Sequence, residues 1–304
     1  MTDDMAVPDK YPRAWVLWKS ARPSQLALVL LVYALGVGME RARAATPVVP
    51  WTPVLAGAGV LVLVATGVHY ANEYADVETD RLTERTPFSG GSGALQRTGV
   101  DRGVLARASS TVVVAAVVSC AAMWWTGLLS TRALALLAVI LGFGLAYSLP
   151  PAALVRRGVG EVTNAVLGGF CLPLFGVAVV GRVTWAVAAA VLPFTMLVGC
   201  NLVATHWPDR EADARTGKRT LAVRWSARGL RRGYWTLAAG AVLSTAALAG
   251  TVLPPSVVAG QALALPLLLW GGVVVTRQRS PFPAVGAMVV YACVSAAAWW
   301  WLAL

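Results

Sequence analysis

Residues 51–85 read WTPVLAGAGVLVLVATGVHYANEYADVETDRLTER, and this stretch decides the fold. From Trp51 to Asn72 no residue is charged, a run long enough for one bilayer crossing at about 20 apolar residues per helix. Carboxylates then crowd together at Glu73, Asp76, Glu78, Asp80 and Glu84. Asn72, Asp76 and Asp80 follow one another at steps of four, and a helix turning about 100° per residue brings them to one face. Unpaired charge beside hydrocarbon is costly. A spanning helix that ends in a carboxylate stripe therefore requires something positive to face it.

The rest of the chain has the same character. Of its 304 residues, 58% are hydrophobic and 13% charged, about half the charged share of soluble domains, and the mean hydropathy is +0.67. Nine apolar runs are long enough to cross: 24–40, 52–75, 106–129, 132–150, 160–181, 183–207, 233–252, 256–275 and 282–303. The expected fold class is an all-α integral membrane protein, nine transmembrane helices in a single bundle with cytoplasmic caps after helices 2 and 6. Residues 1–14 form a cytoplasmic N-terminal segment, and 15–304 form one membrane domain. The start carries Asp3, Asp4, Asp9, Lys10 and Arg13 with no apolar core before Trp15, so it does not read as a cleaved signal.

Charge sets the orientation. If the nine runs alternate, 21 of the 25 Lys and Arg lie on the side of the N-terminus and the long loops, leaving Arg41, Arg43, Arg132 and Arg182 opposite. The positive-inside rule then puts the N-terminus in the cytoplasm and the C-terminus across the cell membrane. The net charge of +11 follows from this topology, with no separate basic arm for nucleic acid. Trp299, Trp300 and Trp301 read as an interfacial belt. Cys120, Cys171, Cys200 and Cys293 share no metal or disulfide spacing and read as buried small side chains. Gly168, Gly169, Pro173 and Pro193 suggest close helix packing and local kinks.

Positive-inside topology does not explain the acids. Eight of the 14 fall in two clusters, the one after the second run and a second at Asp209, Glu211 and Asp213 after the sixth. An offset of 133 residues maps Asp76 onto Asp209, Glu78 onto Glu211, Asp80 onto Asp213 and Arg85 onto Lys218. Four like matches at one offset look like a repeat, and an even number of crossings brings both clusters out on one face. Two readings stand beside each other. The acids are solvated loop charges paired with Arg81, Arg85, Arg210 and Arg215, or they hold a cation between them. Asp and Asn oxygens are hard ligands that suit Mg²⁺, which binds one or two carboxylates together with phosphate oxygens. Two Mg²⁺ bridging the clusters to a diphosphate relieve the repulsion, and Arg85, Arg97, Lys218, Arg219, Arg156 and Arg157 are the cations available for the remaining phosphate charge.

Asn72-Glu-Tyr-Ala-Asp76-Val-Glu-Thr-Asp80 and Asp209-Arg-Glu-Ala-Asp213 resemble the paired N-x-x-x-D-x-x-x-D and D-x-x-x-D motifs of the UbiA superfamily of intramembrane prenyltransferases. Gly217-Lys-Arg-Thr-Leu-Ala-Val-Arg224 looks like the segment after the second motif in the branch that prenylates dihydroxynaphthoate for menaquinone, a quinone. Tyr147-Ser-Leu-Pro-Pro151 with Arg156, Arg157 and Gly160-Glu161 is similar to the family's fourth-loop pattern, and Arg22-Pro23 to the start of its first span. The resemblance implies Mg²⁺-dependent transfer of a prenyl group from an isoprenoid diphosphate to an aromatic or other lipophilic acceptor, with release of pyrophosphate. It implies Asn72, Asp76, Asp80, Asp209 and Asp213 as ligands of Mg²⁺ and diphosphate, Lys218, Arg156 and Arg157 as diphosphate contacts, and Tyr147 near the reacting carbon. There is one departure: many relatives have Asn four residues before the second motif, where this chain has Thr205, followed by His206.

His69 and His206, the only histidines, each lie within a turn of a motif. Each reads either as a general base for the acceptor or as a hydrogen-bonding support for an Asp. Ser89-Gly-Gly-Ser-Gly93 reads either as a backbone cradle for phosphate or as a flexible loop. Tyr70, Tyr74, Tyr147 and Trp207 are the aromatic faces available to an allylic cation. Two alternatives to transfer are a membrane terpene cyclase of the same superfamily, acting on the diphosphate without acceptor, and a transporter built from repeats.

Overall fold

The computed structural model describes residues 10–44, 48–86, 88 and 90–304. Most of the expected N-terminal segment and Ser89 of the glycine-rich stretch lie outside them. α1 (Pro12–Ser20) precedes the first run, which is α2 (Pro23–Arg41), and the second run is α3 (Trp51–Leu82). After the short α4 (Ala94–Thr98) come α5 (Gly103–Trp125) and α6 (Thr131–Ser148). α7 (Gly160–Val166) continues through a π-helical turn, Leu167–Cys171, into α8 (Leu172–Val180). Then follow α9 (Trp185–Ala190), α10 (Leu192–Thr205), the short α11 (Arg210–Arg215) and α12 (Leu221–Arg224), α13 (Ala227–Leu248), α14 (Pro255–Ala262), α15 (Leu265–Val274) and α16 (Phe282–Ala303). Among the described residues no strand forms beyond an isolated bridge between Ala249 and Leu253.

Eight of these segments are long and apolar enough to cross a membrane. They correspond to eight of the nine apolar runs. The remaining run, 233–252, is α13, a helix of 22 residues whose first two turns carry Arg228, Arg231 and Arg232.

The break between α1 and α2 has a local cause. Proline at the first helical position is preorganised for helix, and it disfavours the α conformation in the residue before it. Arg22, immediately before Pro23, takes the left-handed conformation at φ 55°. His69 Nδ1–H, from α3, donates to the freed Ala21 carbonyl at 2.8 Å. α1 therefore lies apart from α2 with Tyr70 Oη donating to Leu17 O, and Trp15 sits beneath the cations of Lys19 and Arg97.

The bundle closes on itself because α16 packs against both α2 and α10. Its centre is a continuous apolar cluster that includes Tyr33, Leu61, Val64, Leu137, Phe175 and Phe194. Lipid supplies no hydrophobic drive between helices, so close van der Waals approach has to hold them. Small residues permit it: a side chain on Gly36 would collide with the Pro173 backbone, and one on Gly176 with the Tyr33 carbonyl. At the π-helical turn, a Cβ on Gly169 would lie 2.5 Å from Thr195 Cα, whereas Gly168 faces open space.

Two expectations about single residue types need correction. Trp301 is exposed, but Trp299 is buried. Trp300 donates to Ala34 O at 2.9 Å and stacks on Trp51. Three consecutive residues on a helix point to three faces, so they do not all join one belt. Of the cysteines, Cys171 and Cys200 are buried, Cys120 is half-buried and Cys293 is exposed on the outside of α16. Gly176→Ala should cost about 1–3 kcal/mol by overpacking the α2–α8 contact, while Gly142→Ala, which meets nothing in the interior of α6, should raise stability by up to about 1 kcal/mol. Thermal unfolding of the purified protein in detergent compares the two.

Candidate functional site

α3 runs past the apolar stretch to Leu82 without a break, so Asn72, Asp76 and Asp80 remain in register along one face. The second motif is built differently. The chain leaves α10 at Thr205 and turns, and Asp209 becomes the residue that precedes α11. The Asp213 N–H donates to Asp209 O at 2.9 Å, which keeps the pair one helical turn apart.

α11 ends in a Schellman motif. Gly217 is in the left-handed conformation at φ 77°, Lys218 N–H donates to Asp213 O, and Gly217 N–H donates to Ala214 O. Gly217 thereby reverses the chain and sends Lys218 back over its own helix. The Lys218 ammonium lies 3.0 Å from Asp76 Oδ1 and 3.7 Å from Asp213 Oδ1. One side chain from the second repeat therefore joins the acids of both. Thr220 Oγ1 donates to Asp213 Oδ2 at 3.2 Å, and Thr79 and Thr216 share a hydroxyl bond of 3.0 Å between α3 and α11. Burial pushes the Asp213 carboxyl up, with Lys218 opposing. Burial also works to lower the Lys218 ammonium, but Asp76 and Asp213 outweigh it and hold its pKa above the usual lysine value.

The two readings of the acids divide by residue type. Glu78 pairs with Arg81, Glu211 with Arg210, and Glu84 with Arg279, all at the surface. These are the solvated pairs. Asp76 and Asp213 turn inward to Lys218.

Glu73 belongs to neither group. It is buried, its Oε2 accepts from Arg22 at 2.8 Å, and its Oε1 accepts from Ser92 N–H at 2.9 Å and from the Ser92 hydroxyl. That anchorage lays Gly90–Gly93 against the first motif. Gly91, at φ 62°, sits so close to Asp80 that any side chain would strike the carboxylate, and Gly93 packs on the Arg85 guanidinium. The glycine-rich stretch, in its described part, is a loop fixed over Asp80.

Around the other motif, Glu161 at the start of α7 is buried and accepts from His206 Nδ1–H at 3.0 Å and from Leu221 N–H. Burial tends to lower the His206 pKa, but Glu161 reverses the effect and raises it. The 3₁₀ turn Leu154–Arg157 docks on the same segment, with Arg219 N–H donating to Val155 O and Arg224 Nη1 to Gly158 O. Arg156 reaches toward Gly217, while Arg157 donates to Pro151 O. Thr205 Oγ1 donates into its own helix at Asn201 O.

Tyr147 is buried with its ring against Gly160. The next residue, Ser148, donates to Asn72 Oδ1 at 2.8 Å. Of the other aromatics, Tyr74 lies under Arg102 and Trp207 under Arg210, so a cation takes one face of each ring. Ser148, and the anchoring roles of Glu73, Arg22 and Glu161, are additions to the sequence reading. Their partners lie 19 to 76 residues away, beyond the reach of helical periodicity.

Among the described residues no three acidic, histidine or cysteine side chains already form a closed metal cage. The donors at the mouth are nevertheless all carboxylate or amide oxygens, two of them already facing the Lys218 ammonium. That set fits Mg²⁺, which completes its shell with water and phosphate oxygens.

The UbiA prenyltransferase family model matches residues 29–288. Two solved structures of a UbiA homolog from Archaeoglobus fulgidus are similar. The one bound to DMAPP and Mg²⁺ has TM-score 0.66 and 16% identity, covering 93% of this chain and 98% of that one. The one bound to GPP and Mg²⁺ has TM-score 0.67 and 15% identity, covering 94% and 99%. A digeranylgeranylglyceryl phosphate synthase structure aligns with TM-score 0.66 and 14% identity over 95% and 99%. No curated protein matches the chain.

Glu73→Ala would strand the Arg22 guanidinium and release the glycine loop. It should cost on the order of 3 kcal/mol. Amide hydrogen exchange should rise at residues 90–93 ahead of the α3 core.

Proposed function

The chain belongs to the UbiA prenyltransferase family, and from that premise we propose that it transfers a prenyl group from an isoprenoid diphosphate to an aromatic or other lipophilic acceptor, releasing pyrophosphate. The observation that carries this reading is the Lys218 ammonium shared by Asp76 and Asp213, which makes the two motifs one mouth. Eight apolar helices and the family make the chain a multi-pass membrane protein. We count α13 as the ninth span and place the N-terminus and the mouth in the cytoplasm, on the strength of the charge asymmetry.

Asn72, Asp76, Asp80, Asp209 and Asp213 would hold the metal, in our reading two Mg²⁺. When bound, Mg²⁺ neutralises the diphosphate and stabilises the charge that develops as it leaves. The protein's own part begins with Lys218, which exchanges its carboxylate partners for phosphate oxygens when the substrate arrives. Arg85, pressed on Gly93, and Arg156, near Gly217, lie on either side of the mouth and hold the departing anion. Gly90–Gly93 closes over Asp80 and offers backbone N–H groups toward the phosphate. Ser148 orients Asn72. Tyr147, buried beside Ser148, faces the allylic carbon and excludes water from it. We assign His206 a positioning role through Glu161, and His69 a structural one at the Ala21 carbonyl. Thr205 shapes the acceptor pocket without spending its hydroxyl proton there.

The solved neighbours bound to DMAPP and GPP make short prenyl diphosphates the donors to assay first. The Gly217–Arg224 resemblance makes dihydroxynaphthoate the first acceptor to try. Asp76→Asn and Asp213→Asn should each lower pyrophosphate release by about 10²–10³-fold with the protein still folded. Full turnover in either variant would remove the site from the reaction. Hydrocarbon formed by the wild type without acceptor would replace transfer with cyclisation.

A further inference from the structure

A groove of about 980 Å³ opens between α13 and α15, away from the carboxylate mouth. α13 buries Leu230, Tyr234, Ala238 and Ala241, and its packing partner is α10, where Cys200 Sγ meets Tyr234 O. The groove occupies the outward remainder of the helix. One end is lined by Arg228, Arg231, Arg232 and Arg277, and no acidic residue lines any part of it. Arg231 donates to Thr276 Oγ1 at 2.7 Å and ties this end of α13 to the end of α15. Among the described residues Arg228, Arg232 and Arg277 make no ion pair, and all three are exposed. The rest of the lining includes Trp235, Gly240, Leu243 and Val273. Gly272 makes room for the Trp235 indole, since a Cβ there would collide with the ring.

Position and charge together define the occupant. α13 starts just after the Lys218 turn and α12, so the arginine end lies on the same side of the bundle as the carboxylate mouth. The apolar part runs from it into the hydrocarbon layer. An anion alone would leave the apolar floor unused, and an uncharged lipid would leave three guanidinium groups without a partner. Basic pockets between transmembrane helices take anionic lipid headgroups, and the planar guanidinium matches phosphate. We propose that this groove is a site for an anionic phospholipid of the adjacent leaflet. Its phosphate is held by Arg228, Arg232 and Arg277, and one acyl chain lies along Trp235, Gly240, Leu243 and Val273.

The test is native mass spectrometry of the full-length protein, purified in detergent and offered phosphatidylglycerol or phosphatidylcholine. The wild type should retain phosphatidylglycerol by about tenfold over phosphatidylcholine, the size of one charge-assisted hydrogen bond. The triple variant R228Q/R232Q/R277Q should lose that preference. Because removing three arginines also perturbs topology, Val273→Trp provides a second route: it fills the groove from its exposed side, keeps every arginine, and should lose the same lipid. Geranyl diphosphate should not displace the lipid, and prenyl transfer should persist in both variants. Unchanged retention in both variants overturns the proposal. So does displacement by geranyl diphosphate, which would make the groove a substrate path, or a dimer that dissociates in the variants while lipid retention stays constant.

Discussion

Bringing the ends of α3 and α11 together forces like charges to converge, and the Lys218 ammonium is the means by which this chain does so. At an effective dielectric of about 20, two unit charges about 6 Å apart repel by roughly 3 kcal/mol, a sizeable share of a typical domain's net stability. Lys218 sits between Asp76 and Asp213 and turns that repulsion into two attractions. The arrangement is also exchangeable. An ammonium on a flexible stem releases its partners more readily than a bidentate guanidinium would, which suits the exchange of partners proposed for Lys218.

The position of Lys218 is set by backbone geometry. Gly217 in the left-handed conformation closes the Schellman motif that reverses the chain. The reversed segment is then held from three directions: by Thr216 on Thr79, by Arg219 N–H on Val155 O, and by Leu221 N–H on Glu161. On the opposite side Glu73 does the equivalent for the glycine loop, holding Ser92 and Arg22 at once. Two buried glutamates, Glu73 inside the first motif and Glu161 on α7 against His206, thus fix the two walls of the mouth. Neither faces the space between the aspartates. A buried carboxylate is tolerated only where it is hydrogen-bonded, and both meet that condition through donors on other segments.

Much of this was legible in the chain because membrane folding is governed by length and apolarity. The apolar runs mark the helices to within a few residues, and the 133-residue offset pairs the two motifs that Lys218 joins. What escaped is of three kinds. Steric events such as the Arg22–Pro23 break depend on local torsion, and they set off α1 as a separate helix that no apolar run marks. Directional events separate Trp299, Trp300 and Trp301, since composition assigns them one environment and the helix turn gives them three. Long-range pairings, such as Ser148 with Asn72 or Glu161 with His206, depend on which helices become neighbours. α13 falls between these kinds, because its arginines dilute the apolar signal of a helix that is otherwise long enough to span.

The positive charge of the chain is therefore not one property. Topology accounts for the number of basic residues on the motif side but not for their different surroundings. Lys218 and Arg22 point inward and are held by carboxylates on other helices. Arg81, Arg210 and Arg279 pair with glutamates at the rim. Arg228, Arg232 and Arg277 point outward over an apolar groove with no acid lining it. A requirement for positive charge on one side alone would be met by any of these placements. The first set balances the carboxylates of the mouth, the second is screened by water, and the third remains uncompensated until the bilayer supplies an anion, which is why the lipid belongs in the account of the folded protein.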